Sequence, residues 1–171
     1  DQVITMIQGA VQALCVGDAE DLAADVGPVI DSEAFEGIAA QVHRLRQEAR
    51  DLLPPRANGG LVAATRHVTP QVFEIEHLNA LRQEIFGPVL HVLRWGKGTL
   101  ADPSAVMQQI NALGYGLTLG IQTRIDARAQ TLAAQARVGN VYVNRNIIGA
   151  VVGLQPFGGE GLSGTGPKAG G

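Results

Sequence analysis

The stretch EIFGPVL carries two residue types that could bind a small molecule at one place. A carboxylate at Glu84 and an aromatic ring at Phe86 flank a single residue, and a Gly87-Pro88 turn follows and leads into a run of branched apolar residues. A carboxylate can accept hydrogen bonds from ribose hydroxyls, and an aromatic ring can pack on a flat heterocycle. The alternative is a core phenylalanine beside a surface glutamate, an arrangement that needs no ligand.

A second stretch, NRNIIGAVVGLQPFGG, follows a predicted strand and runs from polar through apolar residues to glycines. Its apolar pairs at 147–148 and 151–152 predict burial, which a flexible linker does not require. Backbone N–H groups freed at Gly149 and Gly153 could hold a carboxylate without a cationic side chain. The pattern indicates a binding loop on a scaffold. A phosphate-binding loop is the competing interpretation, but neither G-x-G-x-x-G between a strand and a helix nor a GK[ST] ending is present.

Glycine is concentrated near the end of the sequence, where QPFGGEGLSGTG contains five glycines. Such a run either stays disordered or lets the main chain approach where side chains would block it. The apolar residues just before it favour an ordered loop.

The other residues that could be reactive favour structural roles. The histidines at 43, 67, 77 and 91 are scattered, and no pair of them has a metal-ligand spacing, so we expect surface or hydrogen-bonded histidines. Cys15 ends an apolar helical stripe and has no basic neighbour to activate it, which predicts a buried structural thiol. Trp95 is most simply a packing residue.

Composition excludes several classes of function. The chain has 171 residues and a net charge of -3, without the Lys/Arg stripe that a nucleic-acid surface needs. No apolar run approaches the roughly 20 residues of a membrane span. A single cysteine permits no internal disulfide and fits a reducing compartment. There is no secretory leader, and both ends look cut, so we expect a piece of a longer protein.

Helices and strands alternate along the sequence. Apolar residues at helical spacing predict an opening helix, and a second helix that begins at Asp31 or Ser32 and whose apolar face continues to Ala49 and Leu52. Asp102 and Pro103 predict the cap and first turn of a third helix. The remaining predicted elements are strands over 59–65, 70–76, 87–95, 117–123 and 139–144, a short helix or turn over 78–84, and a helix over 126–137. This order predicts an α/β layer whose sheet is at least partly parallel.

Taken together, these stretches resemble the aldehyde dehydrogenase superfamily. The resemblance rests on VGDAEDLAADVGPVID, LRQEIFGPVLHV, INALGYGLTLGIQTRID, GNVYVNRN and QPFGGEGLSGTGPKAGG. The third of these and the uninterrupted segment from Asn144 onward are narrower signals. They are similar to the L-glutamate γ-semialdehyde (Δ1-pyrroline-5-carboxylate) dehydrogenases that form part of bifunctional bacterial enzymes of proline catabolism. The implied fold is a partial aldehyde dehydrogenase catalytic-domain fold, α/β, with a mostly parallel sheet flanked by helices.

The resemblance implies an NAD-dependent oxidation in which a cysteine thiolate attacks the aldehyde and water releases glutamate from the thioester. Glu84 would hydrogen-bond the nicotinamide ribose, and Phe86 would pack near the nicotinamide. The backbone at Gly149 and Ala150 would hold the α-carboxylate of glutamate semialdehyde, and Phe157 would wall its aliphatic chain. The tail glycines would let the main chain close over the substrate.

The chain also departs from the family pattern. The nucleophilic cysteine, the catalytic glutamate and the NAD-binding domain belong to segments that precede these motifs in the family. Residues 1–171 therefore resemble the C-terminal portion of the catalytic domain, expected to be inactive alone, and Cys15 carries no chemistry. The resemblance further implies a cytoplasmic, homo-oligomeric parent polypeptide, possible peripheral inner-membrane association, and FAD in a separate proline dehydrogenase part. Two alternatives stay open: a dehydrogenase for another aldehyde, and a non-catalytic scaffold or oligomerisation piece.

Overall fold

The computed structural model describes residues 1–96, 98, 100–148, 151, 153–164 and 168–170, and for Asn58 the backbone alone. The chain divides into two compact units, Asp1–Arg94 and Trp95–Gly171. Each unit has its own buried apolar cluster.

The first unit is built on a three-stranded sheet with the order β1-β4-β5, in which β4 and β5 are parallel and β1 is antiparallel to β4. A separate short ladder pairs β2 with β3 in antiparallel fashion. The elements are α1 (Gln2–Ala13), α2 (Ser32–Glu48), β1 (Arg50–Asp51), β2 (Leu61–Val62), β3 (His67–Val68), β4 (Gln71–Ile75) and β5 (Val89–Leu93), with 3-10 helices at Ala57–Gly60, Ala63–Thr65 and Leu78–Ala80.

Helix α2 has a side-chain cap and a buried apolar face. The carboxylate of Asp31 accepts a hydrogen bond from the Ala34 N–H (2.8 Å), which satisfies one of the free donors of the first turn. The apolar face packs on β3 and β4 in a cluster of Phe35, Ile38, Val42, Leu45, Val68, Phe73 and Ile75. The predicted continuation of this face to Leu52 is wrong, because the helix ends at Glu48 and Ala49 is extended. Leu52 instead lies beyond β1.

Helix α1 and the segment after β1 form a second cluster. Leu52 and Leu53 are buried there with Val72, and the half-buried side chains of Ile4, Ile7 and Val11 pack on them. The predicted opening helix is therefore confirmed. The strand predicted over 59–65 is mostly wrong, since only two residues of it form β2, between two 3-10 helices.

The second unit places two helices around a parallel pair of strands. Its elements are α3 (Pro103–Ala112), β6 (Tyr115–Gly116), β7 (Thr118–Ile121), α4 (Asp126–Gln135), β8 (Asn140–Val143) and β9 (Glu160–Gly161). Strands β7 and β8 are parallel and α4 connects them, while β6 and β9 are antiparallel. As predicted, Asp102 caps α3: its carboxylate accepts hydrogen bonds from Ser104 N (2.8 Å) and Ala105 N (3.0 Å).

The observed architecture confirms the predicted α/β class. The two longest strand pairings, β4 with β5 and β7 with β8, are parallel, and the antiparallel ladders are two residue pairs each. Among the described residues, every helix is too short or too polar to cross a membrane.

Candidate functional site

The segment just before β5 exposes a carboxylate and an aromatic ring on either side of a packed residue. Ile85 contacts the apolar cluster under α2, whereas Glu84 and Phe86 are exposed. The Phe86 side chain is 86% exposed, an unusual state for an aromatic residue in a folded chain. The interpretation of Phe86 as a core residue is therefore wrong, and a ring that faces solvent remains open to a ligand.

The backbone around Phe86 is held by a close approach to α2. A Cβ atom at Gly87 would lie 2.6 Å from Cδ1 of Ile38, so only glycine lets the chain pass here without moving the helix side chain. Immediately afterwards, the Pro88 carbonyl accepts a hydrogen bond from Gln71 N (2.9 Å), which joins this segment to β4. The predicted turn at Gly87-Pro88 thus leads directly into β5, and the backbone that follows Phe86 is joined to β4.

Glu84 and Phe86 present an acceptor and an aromatic face to solvent. An ionised carboxylate is an acceptor that suits a vicinal diol, and an exposed ring offers a face for stacking. The chemistry of the pair is therefore compatible with the cofactor role that the sequence predicts.

The loop after β8 begins with a side chain that extends the parallel ladder. Asn144 has a positive φ of 54°, and its amide makes two hydrogen bonds to Thr123, from Thr123 N to Oδ1 (3.0 Å) and from Nδ2 to Thr123 O (2.9 Å). The Arg145 guanidinium lies 4.5 Å from the ring centre of Tyr142. The polar residues of NRN thus fix the direction in which the chain leaves the carboxyl end of β8, where ligands of α/β sheets commonly bind.

The predicted carboxylate-binding residues Gly149 and Ala150 lie outside the described residues. Their role stays a prediction. Of the apolar residues around them, Ile148 is 83% exposed and Val151 is 60% exposed. Their expected burial is wrong for this chain, which leaves an apolar surface beside the predicted substrate loop.

Phe157, the third predicted substrate residue, lies in a short backbone bridge. Its N–H donates to Ala169 O (2.8 Å) and its carbonyl accepts from Ala169 N (3.1 Å). The side chain is half-buried. The bridge thus fixes the backbone at Phe157, and the contact of its ring with substrate stays a prediction.

The glycines of the tail let main chain pack on main chain. A Cβ atom at Gly139 would lie 1.5 Å from the carbonyl oxygen of Gly158, and one at Gly164 would lie 2.3 Å from that of Gly159. Real Cβ atoms do not approach so closely, so these positions accept only glycine with this backbone. Over the described residues 155–164 the tail is therefore an ordered loop, as expected, and Gly164 within it and Gly139 before β8 allow the close backbone contacts.

The histidines and the cysteine follow the prediction only in part. His67 is buried with its ring nitrogens 2.8 Å from Thr65 Oγ1 and 2.9 Å from Gly17 O, as expected of a hydrogen-bonded histidine. His91 differs, because its buried Nε2 has no hydrogen-bond partner among the described residues. Burial, with a smaller contribution from the positive charge of Arg44, lowers the pKa of His91. Cys15 is exposed, so the predicted burial of its thiol is wrong.

The family follows from the whole length of the chain. The profile of the aldehyde dehydrogenase family matches residues 1–171. The chain belongs to the aldehyde dehydrogenase family. The superfamily resemblance is thereby confirmed.

Similar proteins within this family carry the names bifunctional protein PutA and 1-pyrroline-5-carboxylate dehydrogenase. The chain is 47% identical to the bifunctional protein PutA of Klebsiella aerogenes, over 100% of the chain and 13% of PutA. It is 35% identical to a 1-pyrroline-5-carboxylate dehydrogenase of Geobacillus kaustophilus, over 100% of the chain and 32% of that protein. The chain therefore spans only about an eighth to a third of the length of these relatives.

Solved structures show the same fold. A crystal structure of a mutant proline utilization A from Bradyrhizobium japonicum superposes with a TM-score of 0.85 at 45% identity, covering 99% of this chain and 17% of that one. An aldehyde dehydrogenase from Bacillus cereus superposes with a TM-score of 0.82 at 23% identity, over 99% of this chain and 33% of that one. The arrangement of elements in both units is thus that of the family.

Proposed function

We propose that the chain forms part of the active site of an NAD-dependent dehydrogenase that oxidises L-glutamate γ-semialdehyde to glutamate within a larger, bifunctional polypeptide. Family membership supports the reaction class, and the similarity to PutA and to 1-pyrroline-5-carboxylate dehydrogenase supports the substrate. The observation that carries the proposal is the exposed Phe86 ring beside the exposed Glu84 carboxylate on an anchored backbone.

In this proposal Glu84 and Phe86 hold NAD. The Glu84 carboxylate accepts hydrogen bonds from the nicotinamide ribose hydroxyls, and the Phe86 ring packs on the nicotinamide side of the cofactor. Bound NAD supplies the two-electron acceptor of the oxidation. The contribution of the chain is to fix the cofactor, because a ring and a carboxylate on a segment joined to β4 restrict its position before the reaction.

The substrate-binding part of the proposal concerns the loop after β8 and the tail. Backbone N–H groups at Gly149 and Ala150 bind the α-carboxylate, and the Phe157 ring contacts the aliphatic chain of the semialdehyde. The Asn144 side chain supports this role, because it fixes where the loop leaves the sheet. The exposed apolar residues Ile148 and Val151 are then covered by other parts of the parent protein.

We place the nucleophile outside these residues. The chain has one cysteine, Cys15, which is exposed and whose backbone N–H donates to the Asp25 carboxylate (2.9 Å), and we assign it no chemical role. It stays a prediction that residues 1–171 form the C-terminal portion of the catalytic domain and that this portion is inactive alone. The cytoplasmic location, the homo-oligomer and the FAD-containing proline dehydrogenase part of the parent stay predictions as well.

The substitution Glu84→Gln in the full-length protein tests the cofactor site. Glutamine keeps an accepting oxygen but loses the charge, which costs about 1–1.5 kcal/mol, so we expect the dissociation constant of NAD to rise about 5- to 12-fold and turnover to fall. Glu36→Gln is the matched control, since Glu36 is an exposed glutamate of α2 and is not assigned to the cofactor site. Unchanged NAD affinity together with unchanged turnover in Glu84→Gln would refute the role.

A substrate panel tests the identity of the aldehyde. Glutamate semialdehyde should be preferred over aldehydes of similar length that lack the α-amino and α-carboxylate groups. Equal kcat/KM values across the panel would favour the alternative of a dehydrogenase for a different aldehyde.

A further inference from the structure

A cavity at the end of α2 gathers two arginines around a single carboxylate. It has a volume of about 340 Å³, and its polar lining comes from Arg46, Asp51, Arg56, Gly59 and Gln71, with a wall formed by Pro54 and Pro55. The formal charge of this lining is +1. We call it the double-arginine cavity. It lies within the first unit and contains none of the residues assigned above to cofactor or substrate.

Arg46 is fixed in place from the α2 side of the cavity. One terminal nitrogen donates to Gly59 O and to Gln71 Oε1 (2.9 Å), while Nε lies 3.8 Å from the Asp51 carboxylate. Gly59 is required for this arrangement, because a Cβ atom there would lie 2.2 Å from Arg46 Nη1. Gln71 is only 2% exposed, so the Arg46 guanidinium donates to a buried acceptor.

Arg56 is fixed in a similar way but lacks a counter-ion. Its Nη1 donates to Thr69 Oγ1 (3.1 Å) and to Pro70 O, both neutral acceptors. Among the described residues, no carboxylate oxygen lies within 4.0 Å of its guanidinium. Burial lowers the pKa of Arg56, Asp51 opposes this shift, and the neighbouring Arg46 adds to it. An arginine remains charged at neutral pH, so Arg56 carries a positive charge that Asp51 offsets only from a distance beyond that of an ion pair.

Both guanidinium groups retain unused donors. Each has five N–H bonds. Within the described part of the chain, the Nε and Nη2 groups of Arg56 and the Nη1 group of Arg46 make no hydrogen bond. Free guanidinium edges with fixed orientation are the groups that bind carboxylate and phosphate in bidentate fashion.

We propose that the double-arginine cavity binds a small dianion, of the phosphate or dicarboxylate class, through Arg46 and Arg56. The dianion supplies the negative charge that Arg56 lacks, and its oxygens accept from the unused N–H groups. A volume of about 340 Å³ holds a molecule of a few to about a dozen heavy atoms, which suits free phosphate or a short dicarboxylate.

The test uses thermal unfolding of the full-length protein with phosphate and with succinate, against sodium chloride at equal ionic strength. A ligand that binds only the folded state raises the melting temperature with its concentration. We expect phosphate, succinate or both to stabilise the protein beyond chloride, and the comparison of the two arms identifies the class. Because phosphate could also occupy a nucleotide site elsewhere, the conclusion rests on the variants.

Arg56→Gln should weaken binding of the stabilising anion about tenfold or more, measured by calorimetry. Arg56→Lys keeps the charge but loses the planar guanidinium with its paired donors, so it should weaken anion binding less. It replaces the glutamine variant if that variant does not fold. The matched control is Arg50→Gln, since Arg50 is exposed and lies outside the cavity. Stabilisation no greater than that by chloride, full anion affinity in Arg56→Gln and Arg56→Lys, or an equal loss in Arg50→Gln would each overturn the proposal.

Discussion

The exposure of Phe86 separates a role in ligand binding from a role in folding. Phe73 is 0% exposed at the centre of the first unit, whereas Phe86 is 86% exposed. Truncating a buried phenylalanine to alanine removes its transfer free energy and leaves a cavity, which together cost about 3–5 kcal/mol. The same truncation at an exposed position changes the free energy of unfolding by no more than about 0.5 kcal/mol.

The expected effect of Phe86→Ala therefore lies in cofactor affinity. An aromatic stacking contact contributes about 0.5–1.5 kcal/mol, which corresponds to a rise of about 2- to 12-fold in the dissociation constant of NAD. Phe86→Tyr keeps the ring and should retain affinity close to that of the parent protein. Urea denaturation gives the stability of each variant, and fluorescence titration with NAD gives its affinity.

Two results would refute this reasoning. If Phe86→Ala lost as much stability as Phe73→Ala, Phe86 would be a packing residue of the full-length protein. If Phe86→Ala kept full stability and full NAD affinity, the exposed ring would not contact the cofactor.

Three further predictions concern glycine, histidine and cysteine. Gly139→Ala places Cβ 1.5 Å from the Gly158 carbonyl oxygen and should destabilise the chain by about 3 kcal/mol or more. Gly37→Ala in α2 meets nothing within 4 Å and should stabilise the chain by about 1 kcal/mol. Urea denaturation measures both changes, and equal effects would contradict the close backbone contact at Gly139. The pKa of His91 is lowered in the folded chain, so the unfolded chain binds the proton first as the pH falls. The free energy of unfolding should therefore be constant above about pH 6.5 and decrease below it. His91→Leu should flatten this decrease in a plot of unfolding free energy against pH, and an unchanged slope would show that another group titrates. Cys15→Ala in the full-length protein should leave kcat unchanged, and loss of turnover would mean that Cys15 takes part in the reaction.

Capping residues and apolar spacing in the sequence predicted the helices. The cap at Asp102 and the proline after it were enough to place the start of α3, and apolar spacing placed α1 and most of α2. The same spacing failed at Leu52 because periodicity does not indicate where a helix ends. There the chain turns into β1, whose partner β4 lies more than 20 residues further along.

The short antiparallel ladders could not be predicted in this way. Each has two residue pairs, and β6 finds its partner β9 more than 40 residues away, so neither strand has a pattern long enough to recognise. The burial expected for Cys15 failed for a related reason, since an apolar neighbourhood in sequence does not show which residues cover it in space.

The candidate site was predicted in its residue types and less in its surroundings. Glu84 and Phe86 were identified from the sequence, and the structure adds their exposure and the contact of Gly87 with Ile38 that holds them. The roles of Gly149 and Ala150 stay predictions. Sequence reasoning missed Arg56, because the lack of a counter-ion is a property of three-dimensional neighbours.

The double hydrogen bond between Asn144 and Thr123 also makes the loop after β8 sensitive to chemical ageing. Deamidation would turn the Asn144 amide into a carboxylate, which has no N–H to donate to the Thr123 carbonyl. A carboxylate oxygen would then repel the Thr123 carbonyl oxygen. A change of a single mass unit would then release the chain at the carboxyl end of the parallel strands. A chain with aspartate at position 144 would carry a loosened loop.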